Sequence, residues 1–229
     1  MRLIDLHHPS IFSLQGLSLT EYESLQLSID DHYENGCKNA LFSEVWTNKV
    51  EILPIFYDKY SLVKIRDYVF QPKEYEKQAY GCIAVFYSKL TEQMFSVINI
   101  DLPSTDENLV NAEVYNILEH LEGSDIKDYP VFVTGTINKL SEKLKKLMDI
   151  NFINLNREDR NNIGLNKTTF HRHGKTSDNI QRDFILLRDK DKKFKLNYSR
   201  TLSRLPKDNF EHFPNFAILS RASLKQTDD

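Results

Sequence analysis

Two histidines separated by one residue, His171 and His173, have the spacing of a pair of metal ligands. In an extended segment alternate side chains point the same way, so both imidazoles would face one ion. The neighbouring sequence specifies no third ligand for that ion, whereas protein metal sites need at least three. We therefore favour a plain loop over a metal site for this segment.

The two cysteines, Cys37 and Cys82, are too few for a disulfide framework or a four-cysteine zinc site. Cys37 follows Gly36 in a turn-like stretch, and Cys82 lies in a predicted core strand. Neither cysteine has a paired base nearby in the sequence, so we interpret both as buried, unreactive thiols. The sequence also has no P-loop and no dinucleotide-binding glycine fingerprint.

Charge is distributed unevenly along the chain. The segment from Arg157 to Lys207 contains 14 Lys+Arg and six Asp+Glu, a local charge of +8. The rest of the chain contains 16 Lys+Arg and 27 Asp+Glu, a charge of −11. A basic stretch attracts phosphate groups, including those of nucleic acid. Aspartates interrupt the stretch, however, and a solvated loop region is the favoured interpretation.

The composition is that of a folded protein with a sizeable core. The chain has 229 residues, a net charge of −3, 40% hydrophobic residues and 14 Gly+Pro, which argues against disorder and linker-rich architectures. No run approaches the 18 apolar residues of a membrane span, and the N-terminal sequence lacks a signal peptide's apolar stretch. We expect one domain over residues 1–229, located in the cytoplasm.

Hydrophobic patterning predicts an α/β chain with many strands and about three helices. The first of the longer helices is predicted to begin at Thr20, because Thr20 and Glu23 have capping-box spacing. The clearest hairpin is predicted from 81–87 and 95–101. The other predicted strands are 10–15, 51–57, 62–70, 129–135, 183–187 and 216–220, and the other predicted helices are 106–122 and 140–149.

Seven short motifs are spread in order over roughly residues 3–220: Pro9–Gly16, Leu53–Lys59, Val97–Leu102, Pro130–Asn138, Thr169–His171, Arg182–Ile185 and Glu211–Pro214. Together they resemble the motifs of the endonuclease/exonuclease/phosphatase superfamily, whose fold is DNase I-like. The match near residue 53 is closest to bacterial members. The resemblance implies a four-layer α/β/β/α sandwich, in which the family's first strand has no clear counterpart here.

The same resemblance assigns roles to three residues that this sequence retains. His212 stands at the position of the family's terminal histidine, and Asn138 at the position of the asparagine that contacts the phosphate. Asp183 belongs to the motif that orients the site. These three positions are the catalytic residues that the resemblance implies.

Four other positions depart from the family pattern. Gly16 replaces the glutamate that holds a divalent metal, and Thr136 replaces the aspartate that helps to activate water. Asp101 replaces a histidine that faces the phosphate, and Glu211 replaces the aspartate that supports the terminal histidine. Hydrolysis of a phosphodiester needs a metal and a base, so the resemblance implies a member with degenerate catalytic motifs.

Three hypotheses stay open. In the first, a degenerate protein without hydrolytic activity or cofactor keeps a phosphate-type groove and binds nucleic acid or another phosphorylated ligand. In the second, Asp101 and Glu211, with His212 and Asp183 nearby, bind a Mg²⁺ or Mn²⁺ ion at a changed position. The protein is then a divergent nuclease or phospholipid-headgroup phosphatase. In the third, the chain is a remnant that depends on a partner for stability.

Overall fold

A computed structural model gives the structure of the chain over residues 2–29, 31–37, 41–43, 50–70, 81–102, 115, 117, 119, 121–123, 125–137, 151–155, 183–201 and 215–222. Two complete helices, Arg2–His7 (α1) and Leu19–Ser28 (α2), are described. The strands are Ile11–Ser13 (β1), Tyr33–Asn35 (β2), Leu41–Ser43 (β3), Val50–Ile52 (β4), Ile55–Asp58 (β5), Leu62–Phe70 (β6), Gly81–Ser88 (β7), Gln93–Leu102 (β8), Val131–Ile137 (β9), Phe152–Asn154 (β10), Asp183–Arg188 (β11), Phe194–Thr201 (β12) and Asn215–Arg221 (β13).

The largest element is a six-stranded mixed sheet, here called the central sheet, with strand order β10-β11-β9-β8-β7-β6. Strands β8 and β9 pair in parallel, and every other neighbouring pair of this sheet is antiparallel. The hairpin predicted from 81–87 and 95–101 is confirmed as β7 and β8. A three-stranded sheet with order β1-β5-β2, here called the N-terminal sheet, and the hairpins β3–β4 and β12–β13 complete the strands.

The two faces of the central sheet bury different apolar cores. The inner face packs on the N-terminal sheet and on β12–β13, through residues such as Ile55, Phe86, Phe95 and Phe132. The outer face packs on Ile117 and Leu121, which belong to the helical residues 115, 117, 119, 121 and 122. Alternation along each strand sends successive side chains to opposite faces, so one sheet serves both cores.

A helix also lies on the far side of the N-terminal sheet. Phe56 of β5 points away from the inner core, stacks on Phe12 and contacts the ring of Tyr22 in α2. The described residues therefore form the order helix, sheet, sheet, helix, which confirms the predicted α/β sandwich. Within these residues, no helix has the length and hydropathy needed to cross a bilayer.

Three local predictions need correction. The capping box of α2 is formed by Ser18 and Glu21, which places the helix start ahead of the predicted Thr20. The strand predicted over 51–57 is interrupted at Pro54, which separates β4 from β5, because proline cannot supply an amide to the ladder. Hydrophobic patterning does not predict strands β2, β3, β10 and β12, since the first three have only three residues each and β12 is mixed in polarity.

The interpretation of the cysteines as separate thiols is also wrong. Cys37, just after β2, and Cys82, in β7, form a disulfide with their Cα atoms 6.4 Å apart. Both cysteines are fully buried in the inner core. This pairing has no signal in the sequence, because the two residues are 45 positions apart and meet through the packing of two sheets.

Strand β6 forms one edge of the central sheet and is irregular. A bulge lies between Lys64 and Arg66, at Ile65, where the pairing with β7 shifts by one residue. Lys64 forms an ion pair with Asp67 at 2.7 Å, and Arg66 forms one with Asp125. The bulge thus interrupts the regular row of backbone groups along this edge, and charged side chains lie on both sides of it.

Tyr57 lies in the inner core and has a raised pKa. Its hydroxyl donates to the Glu34 carboxylate at 2.8 Å. Burial first, and then the hydrogen bond to Glu34 and its negative charge, raise the pKa of Tyr57 from 10.0 to about 12.

We therefore expect Tyr57 to make folding sensitive to alkaline pH. The unfolded state loses the phenol proton near pH 10, so the stabilisation is complete below that pH and is lost as pH rises through about 12. Relative to Tyr57→Phe, the wild type should lose about 1 kcal/mol of unfolding free energy between pH 9 and pH 11, measured by urea denaturation. An unchanged difference between the two proteins would contradict the shift.

Gly135 permits the close pairing of β8 and β9. Its φ is 135°, and a Cβ atom built there would lie 1.8 Å from the carbonyl oxygen of Ile100. Gly16 also has a positive φ, of 67°, but a Cβ there would meet no atom within 4 Å. The backbone conformation strains any side chain at both positions, whereas only Gly135 lacks space.

These two glycines form a matched pair of test positions. Gly135→Ala combines an unfavourable φ with overpacking and should lower the free energy of unfolding by about 3 kcal/mol or more. Gly16→Ala should lower it by about 1 kcal/mol, because it carries the φ penalty alone. Urea denaturation of both variants measures the difference, and equal losses would show that β8 and β9 do not pack this closely.

Candidate functional site

Three side chains share one face at one end of the central sheet. The pairing of β8 with β9 places Asp101 opposite Thr136, and the pairing of β9 with β11 places Asp183 opposite Thr136. Residues directly opposite on neighbouring strands point to the same face, so these half-buried side chains form a row across three strands. We call this end of the sandwich the site edge.

Thr136 is bonded to one of its two neighbours in the row. Its hydroxyl donates to Oδ1 of Asp183 at 2.8 Å. Thr136 lies between Asp101 and Asp183. The usual spacing of neighbouring strands places the Cα atoms of the two aspartates about 9 to 10 Å apart. A neutral hydroxyl therefore separates two carboxylates.

A buried amide joins the N-terminal sheet to the site edge. Asn99 lies two residues before Asp101 on the same face and is fully buried. Its side-chain oxygen accepts from the Gln15 amide at 2.6 Å, and its Nδ2 donates to the carbonyls of Leu14 at 2.8 Å and Pro54 at 3.1 Å. Gly16 follows Gln15 directly and is exposed, so Gly16 also lies at the site edge.

A second polar contact crosses the two sheets one step further in. Ser13 and Thr134 share a hydrogen bond of 2.6 Å between their hydroxyls, and Thr134 also contacts the Ile98 carbonyl at 3.2 Å. Thr134 lies beside Asn99 in the strand pairing. The sequence motifs assign no role to these residues, although a polar residue such as Asn99 within an apolar strand is a recognisable signal.

The described part of the site edge does not fit a divalent metal ion by itself. Gly16 has no side-chain ligand, Thr136 is neutral, and the two carboxylates of the row are separated by Thr136. Across the described ranges, no group of three or more His, Cys, Asp or Glu side chains is arranged to hold a metal.

Five of the predicted site positions lie outside the described residues. The retained positions Asn138 and His212 and the departure at Glu211 are among them, as is the histidine pair His171 and His173. The structure thus brings together Gly16, Asp101, Thr136 and Asp183 and leaves the other roles as predictions.

Comparison with known proteins gives one clear sequence relative. An uncharacterized protein of Encephalitozoon cuniculi is 30% identical over 221 residues, which span 95% of this chain and 70% of that protein. No protein-family profile matches the chain.

Solved structures share the architecture at low sequence identity. An endonuclease/exonuclease/phosphatase from Bacteroides vulgatus has a TM-score of 0.76 and 15% identity, covering 96% of this chain and 88% of its own. A mannosyl-6-phosphatase from Bacteroides thetaiotaomicron has a TM-score of 0.75 and 14% identity, with coverage of 96% and 88%. At these identities the likeness establishes the fold.

The polar contacts beneath the site edge predict a large effect of Asn99. Asn99→Ala leaves the Gln15 amide and the Leu14 and Pro54 carbonyls without this partner, and should lower the free energy of unfolding by about 3 kcal/mol. Ser13→Ala removes one hydroxyl contact and should cost about 1 kcal/mol. Urea denaturation of both variants is the measurement. A loss in Asn99→Ala no larger than that in Ser13→Ala would mean that the buried amide does not join the sheets.

Proposed function

The chain belongs to the same family as the Encephalitozoon cuniculi protein and has the fold of endonuclease/exonuclease/phosphatase proteins, and from this premise we propose that it is a degenerate, non-hydrolytic member of that superfamily. In this proposal the site edge binds a phosphorylated ligand and does not cleave it. The protein acts through binding or regulation.

The observation that carries the proposal is the bond between Thr136 and Asp183. The family's water-activating aspartate corresponds to Thr136, whose hydroxyl cannot take a proton from water at neutral pH. That hydroxyl donates to Asp183 at 2.8 Å, so it also occupies an acceptor position on the neighbouring carboxylate. A base is therefore replaced by a donor at the centre of the row.

The neighbouring positions act in the same direction. Gly16 is exposed at the site edge and offers no ligand to the cation that offsets phosphoryl charge in the family. Asp101 adds a negative charge where a histidine would face phosphate. At about 4 Å and an effective dielectric near 20, that repulsion is on the order of 4 kcal/mol. Binding of phosphate then depends on Asn138, His212 and the basic segment from Arg157 onward.

A divergent Mg²⁺- or Mn²⁺-dependent phosphodiesterase is the alternative. Asp101 and Asp183 lie on one face of the sheet, and the predicted additional ligands are Glu211 and His212. Oxygen ligands of this kind suit Mg²⁺ and Mn²⁺. The alternative differs from the proposal in requiring a cation for both stability and turnover.

Thermal unfolding and hydrolysis assays separate the two. Inorganic phosphate or a 5′-phosphorylated single-stranded oligonucleotide, at about ten times its Kd, should raise Tm by about 4 °C. Mn²⁺ and Mg²⁺ alone should leave Tm unchanged, and bis-p-nitrophenyl phosphate should not be hydrolysed with either ion. His212→Ala and Asn138→Ala should remove the ligand-induced shift. Lys89→Ala, in the turn between β7 and β8 at the opposite end, should retain it.

Two results would overturn the proposal. The first is metal-dependent hydrolysis that His212→Ala abolishes, which would establish the alternative. The second is a Tm shift that Lys89→Ala weakens as much as His212→Ala does, which would indicate non-specific attraction of anions. Oligonucleotide binding that weakens steeply with salt, while phosphate binding persists, would identify nucleic acid as the ligand.

A further inference from the structure

The Cys37–Cys82 disulfide joins the two sheets near the site edge. Cys37 belongs to the segment that follows β2 of the N-terminal sheet, and Cys82 is the second residue of β7 in the central sheet. Cys82 pairs directly with Asn99 in the β7–β8 ladder, so the two side chains share the inner face. The covalent link therefore lies beside the amide that bonds to Gln15.

The segment carrying Cys37 is itself fixed to the N-terminal sheet. The Cys37 amide donates to the Asn35 side chain at 2.9 Å, and the Gly36 amide donates to the Ile55 carbonyl at 2.6 Å. Gly36 is packed so closely that a Cβ there would lie 3.0 Å from the ring of Phe86. The segment that carries Cys37 is thus bonded to β5, the middle strand of the N-terminal sheet.

Contacts across the two sheets are of three kinds near the site edge. Asn99 bonds to the segment that contains Gln15 and to Pro54, Ser13 bonds to Thr134, and the disulfide supplies the one covalent side-chain cross-link in the described part of the chain. The polar contacts need the two sheets at a fixed separation, because a hydrogen bond weakens steeply when its partners move apart. The disulfide limits that separation.

We propose that the Cys37–Cys82 pair is a redox-sensitive clamp that holds Gln15 and Gly16 against the site edge. An external dithiol reduces the clamp: two electrons and two protons convert the Cys37–Cys82 bond to two thiols, and the dithiol becomes a disulfide. In the reduced protein only noncovalent contacts hold this end of the N-terminal sheet against the central sheet. The clamp does not depend on which ligand is bound, and only its effect on ligand binding rests on the proposed function.

Burial determines how the clamp responds. Cys37 is 1% exposed and Cys82 is 0% exposed, so exchange with a dithiol requires local opening of the N-terminal sheet. A reducing cytosol would hold the protein in its loosened form after synthesis, and an oxidising compartment would hold it clamped. If the protein is in the cytoplasm, as predicted, this pair is expected to be reduced.

Mass spectrometry tests the bond first. Protein purified in air without reductant is unfolded in guanidinium chloride with iodoacetamide present, and the intact mass is measured before and after reduction. We expect no alkylation before reduction and two alkylated cysteines after it. The proposal would be overturned if both cysteines are alkylated before reduction, even in protein that has first been treated with oxidised glutathione.

Hydrogen exchange tests the clamp. Amides of residues 14–17 should exchange at least about tenfold faster in the reduced protein, and amides of residues 93–96, at the opposite end of β8, should change much less. Tm should fall by about 10 °C on reduction. Cys37→Ala/Cys82→Ala should match the reduced protein and show no response to dithiothreitol. If the double variant does not fold, the reduced wild type alone gives the comparison.

Two outcomes would contradict the role at the site. Equal change at residues 14–17 and at residues 93–96 would mean that the disulfide stabilises the whole fold and does not act on the site edge. Unchanged exchange at residues 14–17 would mean that the noncovalent contacts suffice. Phosphate binding measured in both redox states is a separate arm: its absence in both would refute the proposed function, while the exchange result would still decide on the clamp.

Discussion

The parallel pairing of β8 with β9 determines which side chains meet at the site edge. A shift of one residue in that register would turn Thr136 to the outer face and separate it from Asp101 and Asp183. Gly135 allows the two backbones to approach at this register, since its Cβ would overlap the Ile100 carbonyl. The position of the row therefore depends on a glycine that has no chemical role in it.

The cross-sheet contacts convert the packing of two sheets into a defined edge. An apolar core holds sheets together with little directional preference, because hydrophobic attraction is not directional. Asn99 adds direction, since its amide is satisfied only when the Leu14 and Pro54 carbonyls and the Gln15 side chain are in place. The same amide lies beside Cys82, so the disulfide and the hydrogen-bonded network constrain the same small region between the two sheets.

The sequence predicted the regular elements well and their partners poorly. Strand β6 and the β7–β8 hairpin could be predicted because their alternation is long and bounded by turn residues. The break at Pro54 and the capping box at Ser18 depend on local detail that hydrophobic patterning does not resolve. The row at the site edge was reached through a resemblance, and the Cys37–Cys82 bond could not be predicted, because contact across two sheets leaves no periodic signal in sequence.

The irregular edge at β6 has a consequence for how copies of this chain meet. A straight exposed strand presents free amides and carbonyls at a regular spacing, and another chain can extend the sheet from it. The bulge at Ile65 breaks that spacing, and the charged side chains of Lys64 and Arg66 lie on both sides of it. Growth of the central sheet into fibrils is thereby opposed at this edge, even though Val63 and Ile65 are exposed apolar residues.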